Sequence, residues 1–184
     1  MTPAQTVLIS WAEKAPLTRN IILTVIGSII LAASAWIEVP MIPVPMTMQT
    51  FALLLIGALY GSRLAFATVC TYLFEGAIGL PVFSGGAGGF QHLIGPTAGY
   101  LVAFPFAAAF VGWCVEKNMT VNFYAMFGAM IISHAIVFAG GVAWLAHFVG
   151  LHAAIVGGFT PFIFGSLVKS ALAVAVLQLP ILRK

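Results

Sequence analysis

Charged side chains are missing from most of this sequence, and their scarcity constrains the fold more than any other feature. Only 6% of the 184 residues are charged, whereas 62% are hydrophobic. A water-soluble domain carries about 25% charged residues. The long apolar runs instead predict helices that cross a lipid bilayer, each of which needs about 20 apolar residues. A transmembrane barrel would show short alternating segments rather than continuous apolar runs.

Six apolar segments predict an all-α membrane protein with six transmembrane helices. The predicted spans are residues 21–37, 47–60, 64–80, 97–113, 123–145 and 161–179. Residues 1–184 are expected to form a single integral membrane domain. Within it, residues 1–19 form a cytoplasmic or interfacial segment, with a short helix around Trp11.

The basic residues indicate how the chain crosses the bilayer. Most of them fall on one side of the predicted spans: Lys14, Arg19, Arg63, Lys117, Arg183 and Lys184. The loops on the opposite side contain no Lys or Arg. By the positive-inside rule, both termini are cytoplasmic and the opposite loops face outward. The formal net charge of +3 is small and does not suggest a nucleic-acid partner.

Two irregular loops lie on the predicted outer side. Residues 38–46 read EVPMIPVPM, and the three prolines predict an extended connector. Residues 81–96 read PVFSGGAGGFQHLIGP. Irregular backbone at membrane level is tolerated only where it is buried in protein or lines a cavity. Four glycines in this loop permit close approach to a ligand or unusual dihedral angles, and a flexible loop is the alternative: Gly85, Gly86, Gly88 and Gly89.

One basic residue lies inside a span. Lys169 is about two helical turns beyond Pro161, in the sixth segment. An isolated ammonium at that depth costs roughly 2.5–3.5 kcal/mol on insertion scales, so it needs a partner. Three interpretations remain open. The amine extends to the membrane surface, it pairs with Glu75, or it is the counter-ion of an anionic substrate.

Spans two, four and six all begin on the predicted outer side, close to Lys169. A proline and a threonine accompany each start, and the expected N-cap residues are Thr47, Thr97 and Thr160. Helix starts present free amide protons and positive partial charge. Three starts around one lysine predict an anion-binding outer cavity, and ordinary helix punctuation is the alternative.

Several polar and aromatic residues on the outer half are candidates for a ligand pocket, although each is also explained by packing. They are Gln49, Glu75, Ser84, Gln91, Tyr100 and Ser166, with Phe83, Phe90 and Phe162 as walls. His134 in the fifth span is either a proton relay or a neutral histidine bonded to a neighbouring helix. The sequence predicts no metal site, no catalytic residue and no ATPase, because ligand spacings, nucleophile–base pairs and P-loops are missing.

Three stretches resemble the BioY family. Residues 39–65 read VPMIPVPMTMQTFALLLIGALYGSRLA, and residues 75–104 read EGAIGLPVFSGGAGGFQHLIGPTAGYLVAF. Near the C-terminus the pattern PFxxGxxxK runs from Pro161 to Lys169. BioY proteins are the biotin-specific substrate-binding (S) components of energy-coupling factor (ECF) transporters.

The resemblance implies a non-enzymatic subunit for biotin uptake, in the cytoplasmic membrane of a bacterium. Biotin would be the transported substrate rather than a cofactor. A transmembrane T component and a pair of cytoplasmic ATPases would be its protein partners. The alternative is a stand-alone secondary transporter for a small organic anion, coupled to protons through His134 or Glu75.

The resemblance also assigns roles to individual residues. Lys169 would meet the valerate carboxylate of biotin, whereas Gln49, Tyr100 and the loop from Gly85 to Gly89 would surround its ring system. Family members often carry Gly-Asp where this chain has Gly165 followed by Ser166. We expect Glu75 to orient Lys169 in place of that acid.

Overall fold

Helices make up most of the chain in the computed structural model, which describes residues 17–120 and 122–179. Six α-helices lie in this part: α1 (Leu17–Ala35), α2 (Gln49–Ala77), α3 (Ala98–Glu116), α4 (Phe123–Val149), α5 (Leu151–Gly158) and α6 (Phe162–Leu177). The predicted helix around Trp11 lies outside the described residues, as do Lys14, Arg183 and Lys184. The all-helical prediction is confirmed.

The longest helix, α2, is a hairpin of two antiparallel arms. Gly61 interrupts it with φ 76° and ψ 172°, a conformation far from that of a helix. Gln49 and Tyr72, 23 residues apart, are joined by a hydrogen bond of 2.5 Å. In a straight helix, their Cα atoms would be about 35 Å apart. The chain therefore reverses at Gly61, and residues 49–60 and 62–77 form the second and third predicted spans.

The remaining spans follow the prediction closely. In the described residues, α1, α2, α3 and α4 are each long and apolar enough to cross a membrane. The pair α5 and α6, bent by 43° at their junction, supplies a further span. Counting the two arms of α2 separately, the described residues contain the six predicted helical segments of a multi-pass membrane protein.

The surface of the bundle is apolar, and small residues are found at points where its helices pack. Large side chains on the outside are exposed, among them Ile29 (61%) and Phe164 (77%). Ala107, Ala108 and Ala173 are completely buried where the helices pack. Small side chains let membrane helices approach closely, and large apolar side chains suit a lipid environment.

The loops predicted to share one side of the membrane meet at one end of the bundle. Strand β1 (Glu38–Val39) pairs antiparallel with β2 (Met46–Thr47), so the expected extended connector is a short ribbon. The Trp36 indole donates to the Pro81 carbonyl at 3.1 Å, which joins this ribbon region to the glycine-containing loop. At the opposite end, the Ser62 amide donates to the Glu116 carboxylate at 2.6 Å and secures the α2 hairpin turn.

One element was not predicted. Residues 146–160 were expected to be a loop, but α4 continues to Val149 and α5 forms over Leu151–Gly158. The segment was too short to give a periodic signal typical of a span. The Tyr100 hydroxyl donates to the Gly158 carbonyl at 2.8 Å, and this bond ties the end of α5 to α3.

Replacing Gly61 with alanine should destabilise the hairpin. Its backbone conformation is essentially restricted to glycine, and any other residue adopts it at a cost of about 1–3 kcal/mol. An added Cβ would also lie 2.6 Å from the Glu116 Oε1 atom. Thermal unfolding of the detergent-solubilised protein should show a lower midpoint for G61A than for the wild type.

The matched control is G128A. Gly128 lies inside α4, and an added Cβ there meets no atom within 4 Å. Because alanine favours a helix over glycine, this variant should unfold at the wild-type temperature or slightly above it. Equal midpoints for G61A and G128A would contradict the assignment of the turn.

Candidate ligand-binding site

A cavity of about 270 Å³ lies at the loop end of the bundle. Helices α2, α3, α4 and α6 and the two irregular loops all supply side chains to its wall. Seven predicted site residues line it: Gln49, Phe83, Ser84, Tyr100, Phe162, Ser166 and Lys169. Eleven others were not named as contacts or were considered in another role: Val44, Pro45, Thr47, Thr50, His92, Thr97, Leu101, Phe104, His134, Val137 and Phe138.

The amine of Lys169 reaches this cavity. Lys169 is only 9% exposed, and it donates to the Thr47 carbonyl at 2.6 Å and the Thr50 hydroxyl at 3.3 Å. The interpretation in which the amine extends to the membrane surface is therefore wrong. Both acceptors are neutral, and no acid among residues 17–120 and 122–179 forms an ion pair with the amine. The cavity therefore contains a cation that an anionic ligand would neutralise.

Glu75 lies elsewhere and does not fulfil either role predicted for it. Its carboxylate accepts a hydrogen bond of 3.0 Å from the Ser28 hydroxyl, between α1 and the second arm of α2. It is not part of the cavity wall, so neither an ion pair with Lys169 nor the orientation of Lys169 by Glu75 is found. Sequence position alone does not show which face of a helix a residue occupies, and Glu75 lies on the face that packs against α1 rather than on the face toward the cavity.

Ser166 lines the cavity but does not hold Lys169. Its hydroxyl donates to the Ile163 carbonyl of its own helix at 2.8 Å. The lysine is oriented instead by Thr47, which precedes α2, and by Thr50 in the first turn of α2. The Thr47 carbonyl is available because Thr47 ends strand β2, one residue before the Met48 cap of α2.

A chain of hydrogen bonds holds Gln49 at the cavity wall. Its side-chain Nε2 atom donates to the Tyr72 hydroxyl at 2.5 Å, and that hydroxyl donates to the Val82 carbonyl at 3.0 Å. The Gln49 amide oxygen accepts from the Thr47 hydroxyl at 2.9 Å. Tyr72 therefore joins both arms of α2 to the glycine-containing loop. No sequence signal points to this role, because Tyr72 lies in an apolar span.

Phe83 closes the cavity from the loop side. It is only 3% exposed and packs edge-to-face on Tyr72, with the ring centroids 5.7 Å apart. Gly76 makes room for this ring, because an added Cβ would lie 2.1 Å from the Phe83 Cζ atom. The Gly89 amide donates to the Gly76 carbonyl at 2.7 Å, which fixes the loop over the second arm of α2.

The glycine run shapes the loop rather than the cavity wall. Gly85, Gly86 and Gly89 have positive φ angles of 68°, 70° and 106°. An added Cβ at Gly88 would lie 2.3 Å from the Leu80 carbonyl oxygen. None of these four glycines lines the cavity. Of the two roles predicted for them, the structure shows unusual dihedral angles and not close approach to a ligand. Neighbouring Ser84 does line it, and its hydroxyl donates to the Glu38 carboxylate.

Aromatic rings form the remaining walls. Phe138 lies 6.1 Å from Phe162 and 6.2 Å from the His134 ring, measured between centroids. Tyr100 is held by its bond to α5 and faces the same space. Two further predicted residues also lie outside the cavity: Phe90 is 63% exposed, and the Gln91 side-chain amide donates to the Gly88 carbonyl at 3.1 Å.

The starts of α2, α3 and α6 border the cavity. This was predicted from their position on the same side of the membrane as Lys169. Gln49 begins α2, Thr97 precedes α3 and Phe162 begins α6, and all three line the cavity. Two of the threonine caps were wrong, because Met48 and Pro161 occupy the cap positions of α2 and α6. Thr97 is at the cap position of α3, although its side chain makes no capping bond.

The helical bundle and its cation-containing cavity define an integral membrane protein with a cavity of small-molecule size at one end of the bundle. A model of the BioY family matches residues 4–183. The chain belongs to the BioY family.

Individual relatives agree. A probable biotin transporter BioY from Pyrococcus horikoshii is 37% identical over 147 residues, which cover 80% of this chain and 86% of the relative. The biotin transporter BioY of Thermotoga maritima is 36% identical over 156 residues, covering 84% and 91%. The crystal structure of an S-component for biotin from an ECF-type ABC transporter shares the fold, with a TM-score of 0.76 and 23% identity over 90% of this chain and 89% of that one.

Removing the Tyr72 hydroxyl should destabilise the cavity wall. Y72F leaves the Gln49 amide without its acceptor in a buried position, which costs about 1–3 kcal/mol. The control, Y124F, removes the same atom from a side chain that is 83% exposed and should change stability by less than about 0.5 kcal/mol. Thermal unfolding measures both, and equal midpoints would show that the hydrogen-bond chain contributes nothing.

Proposed function

We propose that this protein captures biotin for uptake, as the substrate-binding subunit of an ECF-type ABC transporter. The single observation that carries the proposal is the buried ammonium of Lys169, which faces a cavity and has only neutral partners in the described residues. Its family membership supports the choice of ligand, because relatives from several organisms are named biotin transporters.

The cavity suits the two ends of biotin differently. The valerate carboxylate would bind the Lys169 ammonium, where a charge-assisted hydrogen bond contributes about 1.5–3 kcal/mol. Aromatic side chains such as Phe83 and Phe138 provide an apolar surface for the bicyclic ring, and Gln49 adds a polar group at the wall. Ligand pockets are mostly apolar with a few placed polar groups, which is the arrangement here.

The proposal includes protein partners and an orientation in the membrane. A T component and a pair of cytoplasmic ATPases would supply the energy, since the chain has no P-loop. Exposed Arg63 and Lys117 lie near the end opposite the cavity, which supports cytoplasmic termini and an outward-facing cavity by the positive-inside rule. The location would be the cytoplasmic membrane, and the role would be non-enzymatic.

The K169A variant should bind biotin about 10- to 100-fold more weakly than the wild type, because the carboxylate loses its counter-ion. Biotinamide, which lacks the negative charge, should lose much less affinity on the same substitution. Isothermal titration of the purified protein, without nucleotide or an ion gradient, measures both ligands.

K117A is the matched control, since it removes an exposed lysine at the end of α3 away from the cavity. Its affinity for biotin should equal that of the wild type. If K169A weakens biotin and biotinamide equally, Lys169 has a structural role. If the wild type binds another small vitamin and not biotin, the proposed substrate is wrong.

Uptake should depend on ATP hydrolysis by the partner subunits. In cells that express the chain with its T component and ATPases, an inactive ATPase variant should abolish accumulation of labelled biotin. A protonophore should leave uptake intact while cellular ATP is maintained. The opposite pattern would favour a stand-alone secondary transporter for small organic anions, in which Glu75 or His134 carries the proton.

A further inference from the structure

The imidazole of His134 has one nitrogen with hydrogen-bond contacts and one without. His134 is 3% exposed, on the face of α4 that lines the cavity. Its Nδ1 atom lies 3.1 Å from the Met130 carbonyl oxygen and 3.2 Å from the Ser170 hydroxyl of α6. Its Nε2 atom is buried and has no hydrogen-bond partner in the described part of the chain. The contact with α6 matches the expectation of a histidine bonded to a neighbouring helix.

The surroundings of Nδ1 determine which nitrogen carries the proton. A carbonyl oxygen only accepts hydrogen bonds, so the Met130 contact requires a proton on Nδ1. A lone pair on Nδ1 would instead face the lone pairs of that oxygen at 3.1 Å. In the neutral imidazole, Nε2 is then an acceptor. A second proton would place a cation in the same cavity as Lys169, which disfavours it.

An unpaired acceptor at the wall of a mostly apolar cavity favours a ligand that carries a donor. The Lys169 ammonium has no acceptor capacity, and the two groups therefore recognise opposite chemistry within one cavity. We infer that His134 Nε2 accepts a hydrogen bond from a ureido N–H of the bound ligand. This inference rests on the proposed function, because it assigns the second recognised group of biotin after the carboxylate.

This assignment makes His134 a specificity-determining residue. A site built to bond a polar group strongly rejects an analogue that lacks the group, because its own buried atom is left unpaired. Lipoate has the same pentanoate chain as biotin and has no N–H donor. The cavity should therefore prefer biotin to lipoate, and the preference should depend on His134.

The variants H134F and H134Q separate shape from hydrogen bonding. Phenylalanine retains a ring beside Phe138 but has no acceptor, and glutamine retains an acceptor oxygen. We expect H134F to weaken biotin about 5- to 100-fold, H134Q to recover part of that loss, and the affinity for lipoate to change little in either. S133A is the control, since the neighbouring buried hydroxyl donates to the Ala107 carbonyl at 3.0 Å, outside the cavity wall.

A measurement on the unaltered protein covers the case in which H134F fails to fold. In ¹⁵N-histidine-labelled protein, the His134 Nε2 resonance should start at the position of an unprotonated nitrogen and move upfield when biotin binds. The same resonance should not move with lipoate.

The outcomes distinguish the two proposals. If the wild type binds biotin but the Nε2 resonance stays in place, the inference about His134 is wrong and the proposed function stands. It is equally wrong if H134F weakens biotin and lipoate by the same factor. If the wild type does not bind biotin, the proposed function itself fails.

Discussion

The site depends on one ammonium group held inside an apolar bundle. Lys169 would be too costly to bury alone, and it is stabilised by the Thr47 carbonyl just before α2 and by the Thr50 hydroxyl in the first turn of α2. Neutral oxygens satisfy the donors of the amine without cancelling its charge. An internal carboxylate would have stabilised the lysine more fully and left less attraction for an anionic ligand.

Much of the remaining architecture serves to bring those two threonines to α6. The ribbon of β1 and β2 directs the chain so that Thr47 ends at the cavity, where the Met48 amide donates to the Ile37 carbonyl at 2.9 Å. The turn at Gly61 then returns the chain, and Tyr72 on the second arm holds Gln49 against the cavity wall. Each contact joins segments that are distant in sequence, and each is satisfied within protein because lipid offers no hydrogen bonds.

The predicted and observed sites overlap in an informative way. Lys169 was predictable because a cation within a span needs an explanation whatever the fold. Glu75 was assigned wrongly by the same reasoning, since an acid within a span also needs a partner, and the Ser28 hydroxyl meets that need. The partners of His134 and Tyr72 were not predictable, because they lie on segments far away in sequence.

The sequence by itself determined that the chain lies in a lipid bilayer, that it is helical, roughly where its spans are and which family it belongs to. These follow from local quantities: apolar run length, charge placement and short motifs of proline, glycine and threonine. Only the tertiary structure decided which polar groups share a cavity, that the glycine run shapes a loop, and which nitrogen of His134 is left without a partner. The physical reason is that helix rotation and the direction of side chains are set by packing between distant segments. A one-residue turn of a helix, about 100°, moves a side chain from the cavity to the lipid.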